Sequence, residues 1–506
     1  MAEHETSRRR RAARIILPYA FLQSFAASSS IIPTLQLFHD IKHRECMRTC
    51  IAHVLEFNPC DFFPTAYGPA ATVFFSIIAV LSLLSAGSYG HLLDRKGIKM
   101  VMVISGLLNA GGDVWLYVCG QVPSLSENVS PSMFAAVLKG IGGAWIVTQA
   151  AHWTYVSFTA TPKSSSAYFS VVLFTTWAGS ASSVVISAVL VNHGPKYLGF
   201  VLAFSCWIAY VLAAAMLPNN GIDSSSNDPD KETKWIPSRF TACNILILLK
   251  AIAQPVVLMF HNLISGLLFA AYTCSVVALN IFDTMLSYRG QQSTFQSTKD
   301  DLALIAIPAT RLLMALCLLP LLSVVHHRWV QARNRLTVRP FIGPDKPRGF
   351  VRDSYGSSDV HTSSSTTLHS HTASDVNTAW TQDIAIAQCC LLAGAVGVLI
   401  SLVKQSITVY LVGACVASLM VPATPALTSL VVQKARPGEL GSTLMGLAMI
   451  DVLAVYMRFI PIALSFRGSY VELTVPTEPI LIAIMAVMIT GCALVWLVKR
   501  RHVALR

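Results

Sequence analysis

The feature that most constrains this chain is a series of apolar stretches, each about as long as a bilayer is thick. A helix rises about 1.5 Å per residue, so a hydrocarbon core of about 30 Å takes roughly 20 mainly apolar residues. About twelve such stretches run along the sequence. They fall near 15–38, 70–90, 100–119, 132–153, 168–191, 198–217, 245–282, 301–325, 382–403, 406–432, 442–464 and 479–498. Of the 506 residues, 54% are hydrophobic and only 12% charged, about half the charged share of a soluble domain. The expected fold class is therefore an all-α polytopic membrane protein, with lipid taking up the surplus of apolar surface.

The formal net charge of +12 raises the question of nucleic acid, and its distribution answers it. With these stretches as crossings, 25 of the 37 Lys and Arg residues fall on one side and 8 on the other. That asymmetry is the positive-inside pattern. It predicts a cytosolic basic N-terminus (1–14), central loop (218–241) and tail (499–506), with no nucleic-acid partner. The membrane is either the plasma membrane or a vacuolar or other endomembrane. Arg8 to Arg11 and Arg14 resemble the charged start of a signal peptide, but the apolar run continues from Ile15 to Phe38 and no small-residue cleavage site follows. Such a run is too long for a signal core and reads as the first crossing.

The polar segment from Pro218 to Arg239, with SSSNDPDKETK at its centre, divides two halves, 15–217 and 242–498. Each half is expected to hold six crossings. The apolar sequence from Ile245 to Phe282 is long for one crossing and short for two, and Pro255 interrupts it. Residues 245–254 are accordingly expected along the inner interface. The inner segment 326–381 includes a Ser/Thr/His-rich tract of low complexity, which reads as a disordered loop. The two halves also look like repeats: Thr161-Pro162-Lys163 follows the fourth crossing of one, and Arg436-Pro437-Gly438-Glu439 ends the fourth of the other. Paired repeats around a midplane site are a common transporter plan.

The most specific motif is Gly90-His-Leu-Leu-Asp94-Arg95-Lys96-Gly97-Ile98-Lys99. It resembles the signature loop of the major facilitator superfamily, G-x-x-x-D-R-x-G-R-R/K, with Ile98 where a basic residue is usual. Glycine allows a sharp turn and close helix approach, and an aspartate suits the positive end of a helix. Leu138-Lys139-Gly140-Ile-Gly142-Gly143 resembles the superfamily's fourth-helix motif, a cation ahead of small residues. The chain as a whole resembles fungal carriers akin to the proton-coupled folate transporter family. Cys46, Cys50 and Cys60 before Pro64, the segment HWTYVSFTAT from His152 to Thr161, Arg311 with Leu318-Leu319-Pro320, and Thr474 to Pro479 carry that likeness. The sequence also departs from it. Phe158 stands in place of the relatives' aspartate, and Ser164 to Ser166 replace the usual arginine. Helix 5 keeps Gly179 but lacks the G-P-x-x-G-G pattern of proton antiporters.

Charged residues at membrane depth are the candidate cavity, proton or substrate groups: Asp113, Lys139, Arg311, Asp451 and Arg458, with His152 close to a helix end. Each charge costs about 2.5–3.5 kcal/mol at the bilayer centre on insertion scales, so each needs a partner or water. Asp113 and Lys139 are expected to meet, since their crossings are neighbours in sequence. A strut between helices is an equally good reading of such residues, and His152 reads better as a packed histidine. Asp451 and Arg458 lie seven residues apart, two turns along one face and beyond direct contact.

Cys46, Cys50 and Cys60 share the first outer loop and are candidates for a disulfide, with Cys119 a further possible partner. No spacing suggests a metal or a cofactor. The sequon Asn128-Val129-Ser130 is followed by Pro131 in a short loop near the bilayer, a poor acceptor. Walker, nucleophile-elbow and metalloprotease patterns are all missing, so no enzyme is expected. The resemblance implies a secondary transporter of a small organic solute working by alternating access, with protons as an expected coupling ion. The rival reading is a carrier-derived sensor or scaffold that no longer transports, motivated by Phe158 and Ser164.

Overall fold

A computed structural model of the chain describes residues 2–51, 68–125, 127–160, 165–195, 197–217, 253–294, 364–403, 407–436, 438–457 and 477–504. Among these residues every regular element is a helix. The first half contains α1 (Ala2–Ser29), α2 (Ile31–Ile51), α3 (Gly68–Lys96), α4 (Ile98–Gln121), α5 (Ser130–Ile141), α6 (Ala144–Thr159), α7 (Ser165–His193) and α8 (Leu198–Ala215). The second contains α9 (Leu263–Thr294), α10 (Ser364–Val403), α11 (Ile407–Ala417), α12 (Ala423–Lys434), α13 (Leu440–Met457) and α14 (Thr477–Ala504). Ten stretches of the described residues are long and apolar enough to cross a membrane, and Leu440–Val455 is a shorter apolar helix. The crossing expected at 301–325 lies outside the described residues, as do the central loop 218–241 and residues 245–252 of the interfacial segment expected at 245–254.

Four boundaries differ from the sequence reading, each for a local reason. The first crossing does not stop near Phe38: α1 bends at Ser30 and continues as α2 to Ile51, so helix occupies the start of the expected outer loop. Pro33 permits this because it sits in the first turn of α2, where its missing N–H is not needed. The Gly90–Lys99 motif is not a loop, since α3 continues through Asp94, Arg95 and Lys96. Nothing in GHLLDRK breaks a helix, and Arg95 and Lys96 suit its negative C-terminal end. The turn shrinks to Gly97, whose φ of 89° glycine adopts without strain.

The third difference lies in the fourth crossing, expected as continuous from 132 to 153. It breaks between α5 and α6 at Gly142-Gly143, where Gly143 has a φ of 70°. Backbone exposed by a break at membrane depth must find donors inside the protein. The Ser105 hydroxyl donates to the Gly142 carbonyl at 2.5 Å, and the Asn109 amide donates to the Ala144 carbonyl at 3.3 Å. In the second half, α11 passes through a 3₁₀ turn, Ser418–Met420, and Pro422 before α12. Both halves thus interrupt the crossing that the repeat reading pairs. Fourth, residues 364–381 of the expected disordered loop are helical, forming an extension of α10.

The apolar core divides unevenly. At the end of the bundle that carries Asp94, one cluster draws on both halves, with Leu93, Val147 and Trp153 from the first and Leu268, Leu430 and Met445 from the second. At the opposite end the described residues form two separate clusters. One lies within the first half around Phe38, Phe74 and Phe200, and the other within the second around Phe282, Val398 and Met488. The halves are joined at the Asp94 end, mainly through α13 against α3 and α6 and through α12 against α7.

Candidate functional site

The α3–α13 seam begins with glycine. A Cβ at Gly90 would lie 2.9 Å from the Ser442 Cα, and one at Gly441 would lie 2.6 Å from the Leu93 Cβ. With no side chain at either position, the two helices come close enough for Asp94 to reach the start of α13. Its carboxylate accepts from the Gly441 N–H at 2.6 Å, the Ser442 N–H at 3.0 Å and the Ser442 hydroxyl at 2.7 Å. The first N–H groups of a helix have no partner within it and form its positive end, so the carboxylate is both cap and counter-charge. The sequence reading placed an aspartate at a helix N-terminus, and the helix it meets belongs to the other half. Arg95 is exposed and Lys99 partly buried.

Deeper in the bundle, Asp451 of α13 accepts a hydrogen bond from the Tyr272 hydroxyl of α9 at 2.9 Å. Its other oxygen lies 3.5 Å from the Gln149 amide nitrogen of α6. Gln149 belongs to the first half and Asp451 to the second, so this carboxylate spans the interface. Asp451 is 7% exposed and Tyr272 fully buried. Among the described residues Asp451 forms no salt bridge.

Sequence reasoning missed a second acid. Asp383 of α10 is 2% exposed and accepts from the Gln433 amide of α12 at 3.3 Å. The hydroxyls of Ser429 and Ser166 lie near the same carboxylate. Ser429 in turn shares a 2.6 Å hydrogen bond with Ser165 of α7, tying the halves together. The same search for acids in apolar stretches that found Asp113 and Asp451 would have found Asp383. It sits one residue inside the stretch drawn from 382. Tyr272 and Gln149 gave no signal, because a lone tyrosine or glutamine in an apolar helix is unremarked without its partner.

Asp113 and Lys139 do meet. The Lys139 ammonium lies 2.5 Å from Asp113 Oδ1 and donates to the Ser30 hydroxyl at 2.9 Å, at the bend between α1 and α2. Gly112 leaves the room, since a Cβ there would come within 2.6 Å of the Lys139 stem. The pair is buried within the first half. His152 is also fully buried there, with its Nε2 3.3 Å from the Tyr210 hydroxyl and its Nδ1 without a partner. Phe158 is 52% exposed.

Arg311, Arg458 and Cys60 lie outside the described residues. Cys46 and Cys50 fall on α2 rather than in a loop. Cys119 is buried, and among the described residues its thiol is unpaired. No group of three metal-ligating side chains occurs among the described residues.

Two bundled halves, a broken fourth crossing in each and a carboxylate-capped seam describe a family of membrane transporters. Residues 18–342 match the Major Facilitator Superfamily, and the chain belongs to it. An uncharacterized membrane protein of Schizosaccharomyces pombe is 24% identical over 242 residues, 45% of this chain and 36% of the relative. The match therefore spans about a third of that relative's length. Among solved structures, the human organic anion transporter MFSD10 is similar with a TM-score of 0.62 at 14% identity, covering 96% of this chain and 99% of that one. A bacterial homologue of the iron transporter ferroportin, in its outward-facing state, gives 0.59 at 9% identity over 96% and 98%. The proton:xylose symporter XylE gives 0.58 at 11% identity over 96% and 95%. At such identities the likeness is one of fold. Family and fold make the chain an integral multi-pass membrane protein of a transporter class, not an enzyme.

Proposed function

We propose that this chain is a secondary transporter that moves a small organic solute by alternating access of its two halves, with protons as the coupling ion. The observation that carries this reading is Asp451, a nearly buried carboxylate whose hydrogen-bonding neighbours come from both halves. A group held jointly by the two halves changes its surroundings whenever they part, as a solute site in a rocking carrier must. We place the solute between α6, α9 and α13, with Asp451, Tyr272 and Gln149 as its polar contacts. The bundle is sewn at the Asp94 end and divided at the other, which supports an outward-facing state if the charge asymmetry gives the orientation. Residue-level homology stops short of the solute, and the resemblance to folate carriers does not transfer folate.

The test is uptake of a panel of labelled organic anions, sugars and amino acids into vesicles holding the purified chain, with and without an inward proton gradient. At least one solute should accumulate, and accumulation should fall when the gradient is collapsed. Gln149→Ala and Tyr272→Phe should lower uptake while the melting temperature is held. If the wild-type vesicles exclude every solute, as empty vesicles do, the sensor or scaffold reading replaces this one.

A further inference from the structure

The sequence loses the usual arginine between the fourth and fifth crossings and offers Ser164 to Ser166 instead. Ser165 shares a 2.6 Å hydrogen bond with Ser429 of the other half, and Ser166 lies near Asp383. The polar groups found beside this carboxylate among the described residues, from Gln433, Ser429 and Ser166, are neutral and serve it in either protonation state. A serine hydroxyl donates to a carboxylate or accepts from a carboxylic acid, and the Gln433 amide offers both a donor and an acceptor. The Gln433 nitrogen already bridges Asp383 and Ser429, at 3.3 and 3.2 Å, while its oxygen has no partner.

Ionisable groups from the packed helices are engaged elsewhere. Lys434 of α12 lies over the Trp380 ring, 4.8 Å from its centroid, and the His502 ring of α14 lies 5.0 Å from the same tryptophan. Lys499, Arg500 and Arg501 of α14 are exposed. From α7 the Ser166 hydroxyl lies near Asp383. Among the described residues no cation forms a salt bridge with it. A charge buried without a cation beside it is disfavoured, whereas the neutral acid fits the hydroxyls around it.

We infer that Asp383 is a proton-binding site built into the seam between the halves, loaded while the Asp94 end is closed and emptied to water when that end opens. The inference rests on the alternating-access reading proposed above. Loading forms one O–H bond on the Asp383 carboxylate, with the proton drawn from water in the cavity. Opening parts Ser165 and Ser166 from Ser429 and Asp383, admits water, and returns that proton to water on the other side.

The experiment needs no solute. Spin labels at Lys96→Cys and Arg501→Cys, on a background with the reactive native cysteines replaced, report the distance across the Asp94 end of the full chain in lipid vesicles. In the otherwise unaltered chain, acid should draw the distance distribution towards the closed value and alkali towards an open one. Asp383→Asn should stay closed at both, because the amide mimics the neutral acid. His502→Gln should keep the response. A pH response that survives in Asp383→Asn, or vanishes in His502→Gln, overturns the inference while leaving the transport reading intact. A distance fixed at every pH in the unaltered chain also overturns it, and solute uptake by the same vesicles then shows whether the transport reading falls with it.

Discussion

Asp94 and Ser442 are 348 residues apart in sequence and share a hydrogen bond of 2.7 Å. The acid ends a helix in one half, and the serine opens a helix in the other. Two backbone N–H groups reach the same carboxylate, so Asp94 acts as an N-cap supplied from a different part of the chain.

Asp94→Ala should therefore weaken the closed seam. Losing an N-cap side chain costs about 0.5–2 kcal/mol, roughly a 2- to 30-fold drop in the closed population. A cysteine at Leu93, which is 1% exposed at the seam, should react faster with a thiol reagent in the Asp94→Ala background. Equal rates with and without the substitution would show that the cap does not hold the seam.

Asp113 and Lys139 should behave as a strut. Removing either leaves an unpaired charge in a dry site, at a cost of about 3–5 kcal/mol. Asp113→Asn and Lys139→Gln should each lower the melting temperature in detergent, and the double variant should recover most of the loss. If either single variant melts like the parent, the pair is not structural. If the double variant regains stability without uptake, the pair also serves transport.

The break in the fourth crossing gives graded expectations. Ser105→Ala removes the donor to the Gly142 carbonyl, and hydrogen bonds between membrane helices are worth about 0.6 kcal/mol on average, up to about 1.7. Gly143→Ala forces a side chain into left-handed backbone at roughly 1–2 kcal/mol, and its Cβ would collide with Val147. Unfolding in denaturing detergent should rank Gly143→Ala below Ser105→Ala, and both below the parent. The opposite order would mean that the chain straightens here at little cost.

The sequence places Cys46, Cys50 and Cys60 close together, and the expected bridge joins Cys60 to Cys46 or Cys50. Non-reducing peptide mapping should recover that cross-linked peptide. Labelling of all three by an impermeant thiol reagent before reduction would exclude the bridge.

Orientation rests on charge alone. Tags at the N-terminus, within 218–239 and at the C-terminus should be protected in intact cells and reached only after permeabilisation. Exposure of any one to external antibody would reverse or refute the expected topology.

The crossings were legible because apolar length is a strong, additive signal, and Asp113 with Lys139 was legible because a lone charge in lipid demands a partner. The breaks were less so. Gly142-Gly143 read as a packing surface, and only the donors from Ser105 and Asn109 on α4 show how a kinked backbone is satisfied. The continuation of α3 through Asp94 was hidden by the charge of the motif, which looks like a loop although its residues from Gly90 to Lys96 are all compatible with helix. Asp383, Ser165 and Ser429 lie far apart in sequence and were invisible as a group. Hydroxyls carry no periodicity or charge, so their meeting is a property of the folded chain.

Among the described residues, the polar fastening of the two halves is made of serine hydroxyls, backbone N–H groups, the Gln149 amide and acids without a lysine or arginine partner. Water can replace each of those bonds nearly one for one, so a single bond retains a net worth of only about 0.5–1.5 kcal/mol. An ionic clasp would hold harder in lipid and answer to ambient salt. A seam of this kind behaves more like a zip than a weld: its teeth part singly, each wetted as it leaves, and re-engage without stranding a bare charge.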